Sequence, residues 1–414
     1  MRVVLICDPG YVDGGAPKVA IFSARGLAEA GVDVSFVCAM GPIVAELSHP
    51  RIALHCLNFE SVWKHSNPLM AAAQGIWNGR AKAALEEILA PLRHEETVVH
   101  FHQWTKALSP SVLMAPAKFG MPSVVSLHDY FLACPNGAYY RFPAGVPCSK
   151  KPMSAGCIAA KCDSRSRLHK MVRVARQIGT VRALRRAASS LSVINVSSFA
   201  ESITEPLIPK EHRRYLVRSP IEIARQPPVA VKDNSEFIFV GRMTAEKGVR
   251  QLADAARRTG LPLTFVGDGP LLEEIQAAGG PIKCVGWVDA RTVSEFMNRA
   301  RALIFPSTWY EPGGLVALEA LAHGIPVIAS RVTAPSDLVV DGKNGFVIDP
   351  NDAAMLDMRM QALADNATAE RMGRDAFDRY WAKPQTEEAH ISALLEVYQA
   401  ILREHRRASM ASAA

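Results

Sequence analysis

Ala302-Leu-Ile-Phe-Pro306, followed closely by Glu311-Pro-Gly-Gly-Leu-Val-Ala-Leu-Glu319, decides the fold of this chain. The first stretch is a short apolar run closed by proline, which reads as a buried strand ending in a turn. The second opens on Pro-Gly-Gly and continues as a helix-like run from Leu315 to Ala322. Glu311 therefore falls on the loop from strand to helix, and Glu319 on the helix. The first turn of a helix exposes unpaired N–H groups and partial positive charge, so this loop suits an anion. Carboxylates beside it accept hydrogen bonds from neutral hydroxyls. Phosphate and polyol together point to a nucleotide sugar, although the same residues also fit a surface Glu and a helix-face Glu that bind nothing.

Outward from this block, short apolar runs alternate with helical stretches. Residues 3–7, 34–38, 98–102, 123–127 and 192–196 read as strands in the first half, and 237–240, 263–266, 282–285, 303–305 and 327–329 in the second. Strands that are apolar throughout and separated by helices imply parallel sheets covered on both faces. Two such series predict two doubly wound α/β domains, each Rossmann-like. The stretch 220–235, with Gln226-Pro-Pro-Val-Ala-Val-Lys-Asp-Asn-Ser235, reads as the linker, giving domains at 1–226 and 227–384. A final amphipathic helix is expected from 387 to 405.

The chain has 414 residues, 49% hydrophobic and 21% charged, and a formal charge of +7. That length fits two domains, and that composition an ordinary globular protein. No apolar run approaches the ~20 residues that cross a bilayer, and Met1–Asp8 reads as a first strand, not a signal peptide. Both readings favour the cytoplasm. The positive charge concentrates in residues 161–186, where nine Lys and Arg side chains face only Asp163. Leu168, Met171, Val172, Val174, Ala175, Ile178, Val181 and Leu184 recur there at a helical period. The segment reads as a basic amphipathic helix, either attracted to an anionic inner-membrane surface or simply solvated. Nucleic acid is not implied, because no aromatic interleaving or known module accompanies the charge.

Other loops support the phosphate reading. Arg242 ends a strand and Lys247 follows five residues later, so two cations flank a strand-to-helix loop. Gly14 and Gly15 follow the first strand, where missing side chains let backbone N–H groups approach a ligand. Their spacing is not that of the dinucleotide fingerprint, so NAD is not implied. Ligands of open parallel sheets bind beyond the carboxyl ends of strands, where all these loops lie, and the two domains are expected to face each other across a cleft. His102 and His128 each end a strand and point toward that cleft; Trp104 and Tyr130 either form a platform for an acceptor sugar or pack. Cys134, Cys148, Cys157 and Cys162 crowd a Gly- and Pro-rich stretch, and either hold one structural zinc or remain free thiols. The remaining cysteines fall in or beside apolar runs.

Phe239-Val-Gly-Arg-Met-Thr-Ala-Glu-Lys-Gly248, Val266-Gly-Asp-Gly-Pro270, Val285-Gly-Trp-Val288, the block 306–330 and Asp341-Gly-Lys-Asn-Gly345 occur in the order of a known family. With them the second half resembles a retaining family-4 glycosyltransferase of the two-domain GT-B class; the first half matches more loosely. The resemblance implies that Arg242 and Lys247 hold the donor diphosphate and that Glu319 binds the ribose hydroxyls. It also implies that Glu311 faces the transferred sugar, with Gly313, Gly314 and Leu315 presenting N–H groups to it. Val285 to Val288 would contact the base through the backbone, His128 would sit near the reacting carbon, and residues 385–414 would cross back onto the first domain. Arg242, Lys247 and the helix dipole would then stabilise the departing oxygen, and the acceptor hydroxyl would enter from the same face. No Asp-x-Asp occurs, so no catalytic cofactor or divalent metal is expected.

Two departures stand out. Arg331-Val-Thr-Ala-Pro-Ser-Asp337 replaces a frequent Gly pair and Glu, which puts donor contacts from Ala334 or Pro335 in question. Gly313 stands where Phe is common. The expected function is transfer of a sugar from a nucleotide-diphosphate donor to a glycan or lipid-linked acceptor in cell-surface polysaccharide synthesis. It would take place in the cytoplasm or at the inner membrane face. A sugar-nucleotide epimerase and a non-catalytic binding relative are the alternatives.

Overall fold

The protein is described here by a computed structural model covering residues 1–187 and 190–413. It divides into two compact units. The first comprises residues 1–139, 149–220 and 387–414; the second comprises 140–148 and 221–386.

The first unit is built on seven parallel strands: β1 (Arg2–Pro9), β2 (Asp33–Met40), β3 (Ile52–Cys56), β4 (Thr97–Phe101), β5 (Ser123–Leu127), β6 (Leu191–Asn195) and β7 (Arg214–Leu216). Their order is β3-β2-β1-β4-β5-β6-β7. The chain turns outward in both directions from β1 and β4, so the loops after these two strands border the crevice where open α/β sheets take ligands. Val3 to Cys7 and Val98 to Phe101 are fully buried, as strands covered on both faces must be. Helix α1 (Gly15–Glu29) covers one face, helices α2 (Pro68–Ile76) and α3 (Arg167–Arg186) pack together, and the last helix runs Glu387–Ala413. That helix seals the unit with Ile391, Leu394, Tyr398 and Leu402, all buried. Each such aliphatic side chain contributes about 1.5–3 kcal/mol of transfer free energy. Gly26 seats Ile391, whose side-chain carbon would lie only 2.6 Å from a Cβ there, and Arg25 donates to Glu387 at 2.5 Å.

The second unit has six parallel strands: β8 (Glu236–Val240), β9 (Leu263–Val266), β10 (Ile282–Gly286), β11 (Ala300–Phe305), β12 (Val327–Ser330) and β13 (Gly345–Ile348). The order is β10-β9-β8-β11-β12-β13, so its switch point lies between β8 and β11. Each strand expected here is present, with β13 added at the edge. Helix α4 (Leu315–Ala322) follows β11 and buries Ala317, Leu318, Ala320 and Leu321.

Helix α3 departs from its expected form. It begins at Arg167 and mixes polarity on its buried face: Lys170, Arg176, Gln177 and Thr180 are buried beside Val174, Ala183 and Leu184, while Leu168, Met171 and Ile178 are exposed. The loop at 132–136 is the cause. Arg176 donates to the Pro135 carbonyl at 3.0 Å, Gln177 to that of Leu132 at 3.1 Å, and Arg173 to that of Asn136 at 3.2 Å. Buried carbonyls without partners are costly, and these donors satisfy them.

Candidate active site

The loops after β8 and β11 meet in the second unit. Gly241 leaves β8, and Met243 donates to the Asp268 carbonyl at 2.8 Å while accepting from Leu271 at 3.1 Å. The 267–270 turn thus braces the cation loop; a Cβ on Gly267 would lie 2.0 Å from the Gly241 carbonyl oxygen. Arg242 stands exposed. Lys247 closes a short turn whose next residue, Gly248, has φ +73° and leaves no room for a Cβ beside the Pro306 carbonyl. That close approach delivers the Lys247 ammonium to Glu311.

Glu311 is buried and held from several sides. Lys247 donates to one carboxylate oxygen, and Ser307 donates to the other at 2.7 Å. Its backbone accepts from Ala334 at 2.8 Å and donates to Val332 at 3.3 Å. The segment 331–337, whose departure from the family pattern raised doubt, therefore fixes Glu311 through its backbone. Pro335 also lies under Gly314: a Cβ there would sit 2.4 Å from the ring. Gly313, one residue earlier, faces open space. Leu315 starts α4, so Gly313, Gly314 and Leu315 present N–H groups where a helix has no internal acceptors. Glu319 lies one turn further on, half-buried and close enough for its charge to act on the Tyr380 phenol. Val285 and Val288 flank Gly286, which is at φ +80° and accepts from Gly267 at 2.8 Å; both valines are half-buried.

Sequence reasoning assigned no role to Ser307, to Thr308 or to the 140–147 hairpin. Tyr140 hydrogen-bonds the Thr308 hydroxyl at 2.6 Å, and Thr308 donates from its backbone to the Glu246 carbonyl at 2.8 Å. The signal was the Pro306-Ser307-Thr308 sequence just after a buried strand.

In the first unit, Gly14 caps α1 without a side chain and Gly15 begins it, both open to solvent. His128 follows β5, half-buried, and its Nε2 lies 3.0 Å from Nδ1 of buried His102. Burial, and then the charge of His390, pushes His128 down to about 3, so the ring is neutral at ordinary pH. His102 Nε2 has no hydrogen-bond partner among the described residues. With both rings neutral, one of the two facing nitrogens, His128 Nε2 and His102 Nδ1, donates and the other accepts. His100 is locked between Tyr398 at 2.6 Å and Ser126 at 2.8 Å and is structural. Trp104 and Tyr130 are buried, so they pack and form no exposed platform.

The zinc expectation is corrected. Among the described residues no three His, Cys, Asp or Glu side chains gather in metal-binding geometry. Cys148 falls in the second unit and the other three in the first. Cys134 donates to Asn136 at 3.2 Å, and the Lys170 ammonium stands 3.1 Å from Cys162 and 3.9 Å from Cys157. Burial works against that charge, but the hydrogen bond to Cys162 and the charges of Cys162, Cys157 and Cys134 outweigh it and raise the lysine.

Two parallel α/β sheets of seven and six strands are the architecture of the GT-B glycosyltransferases. The profile of the family described as glycosyl transferases group 1 matches residues 220–379. A glycogen synthase of Mycobacterium tuberculosis is 30% identical over 407 residues, covering 92% of this chain and 90% of that protein. Among solved structures, the sucrose-phosphate synthase of Thermosynechococcus elongatus superposes with a TM-score of 0.72 at 20% identity, over 97% of this chain and 99% of that one. Anabaena HepE in complex with UDP-glucose gives 0.66 at 16% identity, over 97% and 100%. The chain belongs to the glycosyl transferases group 1 family. It is a glycosyltransferase that uses a nucleotide sugar, in a family that is retaining and metal-independent. The epimerase alternative is thereby set aside. No helix among the described residues is long and apolar enough to cross a membrane.

Proposed function

We propose that this enzyme transfers a hexosyl group, with retention, from a nucleotide-diphosphate sugar to a glycan or lipid-linked acceptor in cell-surface polysaccharide synthesis. The observation that carries this reading is the Lys247–Glu311 pair at the start of α4, with Arg242 exposed on the loop that also supplies Lys247. Arg242 and Lys247 neutralise the departing diphosphate, and the first N–H groups of α4 add partial positive charge. Glu319 takes the ribose hydroxyls. Glu311 is acceptor-only when ionised and orients sugar hydroxyls. The open space at Gly313 leaves room for the sugar ring. The complex of HepE with UDP-glucose supports a uridine donor. In the first unit, His128 offers a neutral imidazole to substrate, and Gly14 and Gly15 offer backbone N–H groups.

The exposed arginines of α3 support work at an anionic membrane face, with the enzyme in the cytoplasm. The test is release of nucleotide diphosphate in the presence and absence of acceptor extracts. Acceptor-dependent release, lowered 100-fold or more in Arg242→Ala and in Lys247→Ala, is expected from the loss of a preorganised charge (about 3 kcal/mol). Unchanged rates in both variants would overturn the assignment.

A further inference from the structure

The first unit carries an apolar face that its own fold does not cover. Seven of the eighteen large hydrophobic side chains exposed among the described residues come from two short segments: Trp63, Leu69, Met70 and Trp77, and Leu168, Met171 and Ile178. Leu69 is 81% exposed and Leu168 74%. The segments are neighbours, because α2 packs against α3. Single exposed apolar residues mean little, but a concentrated patch marks a docking surface.

Charge decides what docks there. Neither residues 61–78 nor residues 164–187 contain an acidic side chain. Lys64, Arg165, Arg167, Arg182, Arg185 and Arg186 are all exposed. Arg165 lies over the Trp63 ring at 4.1 Å, an arrangement in which indole and guanidinium share one surface. At the other end, Trp77 rests on Gly179, where a Cβ would come within 3.2 Å of the indole. Ile76, Trp77 and Ile178 line a groove of about 960 Å³ together with Arg182, Arg185 and Arg186, so apolar and cationic side chains share it. A second copy of this chain would set two cationic faces against each other. A nucleic acid would satisfy the arginines but gain nothing from Leu69, Met70 and Leu168. A bilayer containing anionic lipid satisfies both halves at once, with Trp at the interface and apolar side chains below it.

We propose that the α2–α3 face inserts shallowly into the interface of an anionic phospholipid bilayer. Trp63, Leu69, Met70, Trp77 and Leu168 enter the headgroup–acyl boundary, and Arg182, Arg185 and Arg186 hold lipid phosphates at the groove. This deepens the membrane-face reading above and rests on it. Its distinguishing feature is that apolar contact, not charge alone, holds the protein.

Co-sedimentation of the full chain with vesicles of 70:30 phosphatidylcholine and phosphatidylglycerol, and with phosphatidylcholine alone, tests it at 0.1 and 0.5 M NaCl. The expected result is binding to the anionic vesicles that persists in part at 0.5 M salt. Leu69→Ser/Met70→Ser/Leu168→Ser should lower the partition coefficient more than tenfold with an unchanged melting temperature, because these side chains are exposed. Arg182→Ser/Arg185→Ser/Arg186→Ser should lower it roughly 100-fold at 0.1 M salt. Binding abolished by salt and untouched by the Leu/Met variant would overturn insertion while leaving electrostatic association standing. Binding to neither vesicle would overturn both.

Discussion

The Lys247 ammonium donates to a carboxylate oxygen of Glu311 whose other oxygen is already taken by Ser307. A group proposed for the donor phosphate and a group proposed for the transferred sugar are thus one unit. The two side chains are only 14% and 12% exposed. Removing one leaves the other desolvated, and a broken buried pair typically costs 3–5 kcal/mol. Lys247→Ala should therefore lose both activity and thermal stability. Glu311→Gln, which leaves the buried Lys247 ammonium without its counter-charge, should lose thermal stability as well as kcat/KM. Equal melting temperatures for Lys247→Ala and the parent would refute the coupling.

Adjacent glycines predict opposite behaviour. A Cβ at Gly314 would strike the Pro335 ring, which cannot rotate away, so Gly314→Ala should displace the start of α4 and destabilise by about 1–3 kcal/mol. Gly313→Ala meets nothing within 4 Å and should fold normally. If the sugar occupies that space, this variant raises the donor KM. Parallel melting curves and donor titrations separate the two effects.

The histidines set an acid limit. Burial holds His100 and His102 well below their usual range, with neighbouring histidines adding to the effect, and lowers His390 to about 4. In the unfolded chain each takes a proton below about pH 6.5, which the folded chain refuses. The unfolded state then binds more protons, so stability is full above about pH 6.5 and falls as pH drops toward 4. Each histidine that titrates only when unfolded contributes about 1.4 kcal/mol per pH unit in that window. Denaturant titrations at pH 7 and pH 5 measure this, and His100→Asn should flatten the slope.

The Lys170 cluster predicts a site independent of metal. A chelator should leave the melting temperature of the first unit unchanged. Lys170→Met, which removes the ammonium facing Cys162 and Cys157, should lower it. Stoichiometric zinc in the purified protein, lost together with stability on chelation, would restore the four-cysteine reading.

Much of the second unit was legible because its signals are local. Apolar runs ending in Gly or Pro mark β8 and β11, and the loops just after them carry Arg242 and the Lys247–Glu311 pair. Ser307 and Pro335 act through distances that only the folded loop creates, so spacing in the sequence does not reveal them. Helix α3 shows a different limit. Positions 168, 171, 175 and 178 form one apolar stripe, and 174, 181 and 184 form another. Periodicity fits either stripe against the core. What decides is the need of the carbonyls of Leu132, Pro135 and Asn136 for donors, which draws Arg173, Arg176 and Gln177 inward. The cysteines mislead for a similar reason: proximity in sequence suggests a shared metal, whereas in the fold a buried lysine ammonium stands against Cys162 and Cys157.

The central claim, that the loop after β8 grips a nucleotide diphosphate, is tested most directly by thermal shift with UDP, GDP and ADP on the parent and on Arg242→Ala/Lys247→Ala. Ligand binding to the folded state raises stability by about 2.7 kcal/mol at one hundred times Kd. One nucleotide should raise the parent's melting temperature and leave the double variant unmoved. An equal rise in both proteins, or none in the parent with any nucleotide, would contradict the account.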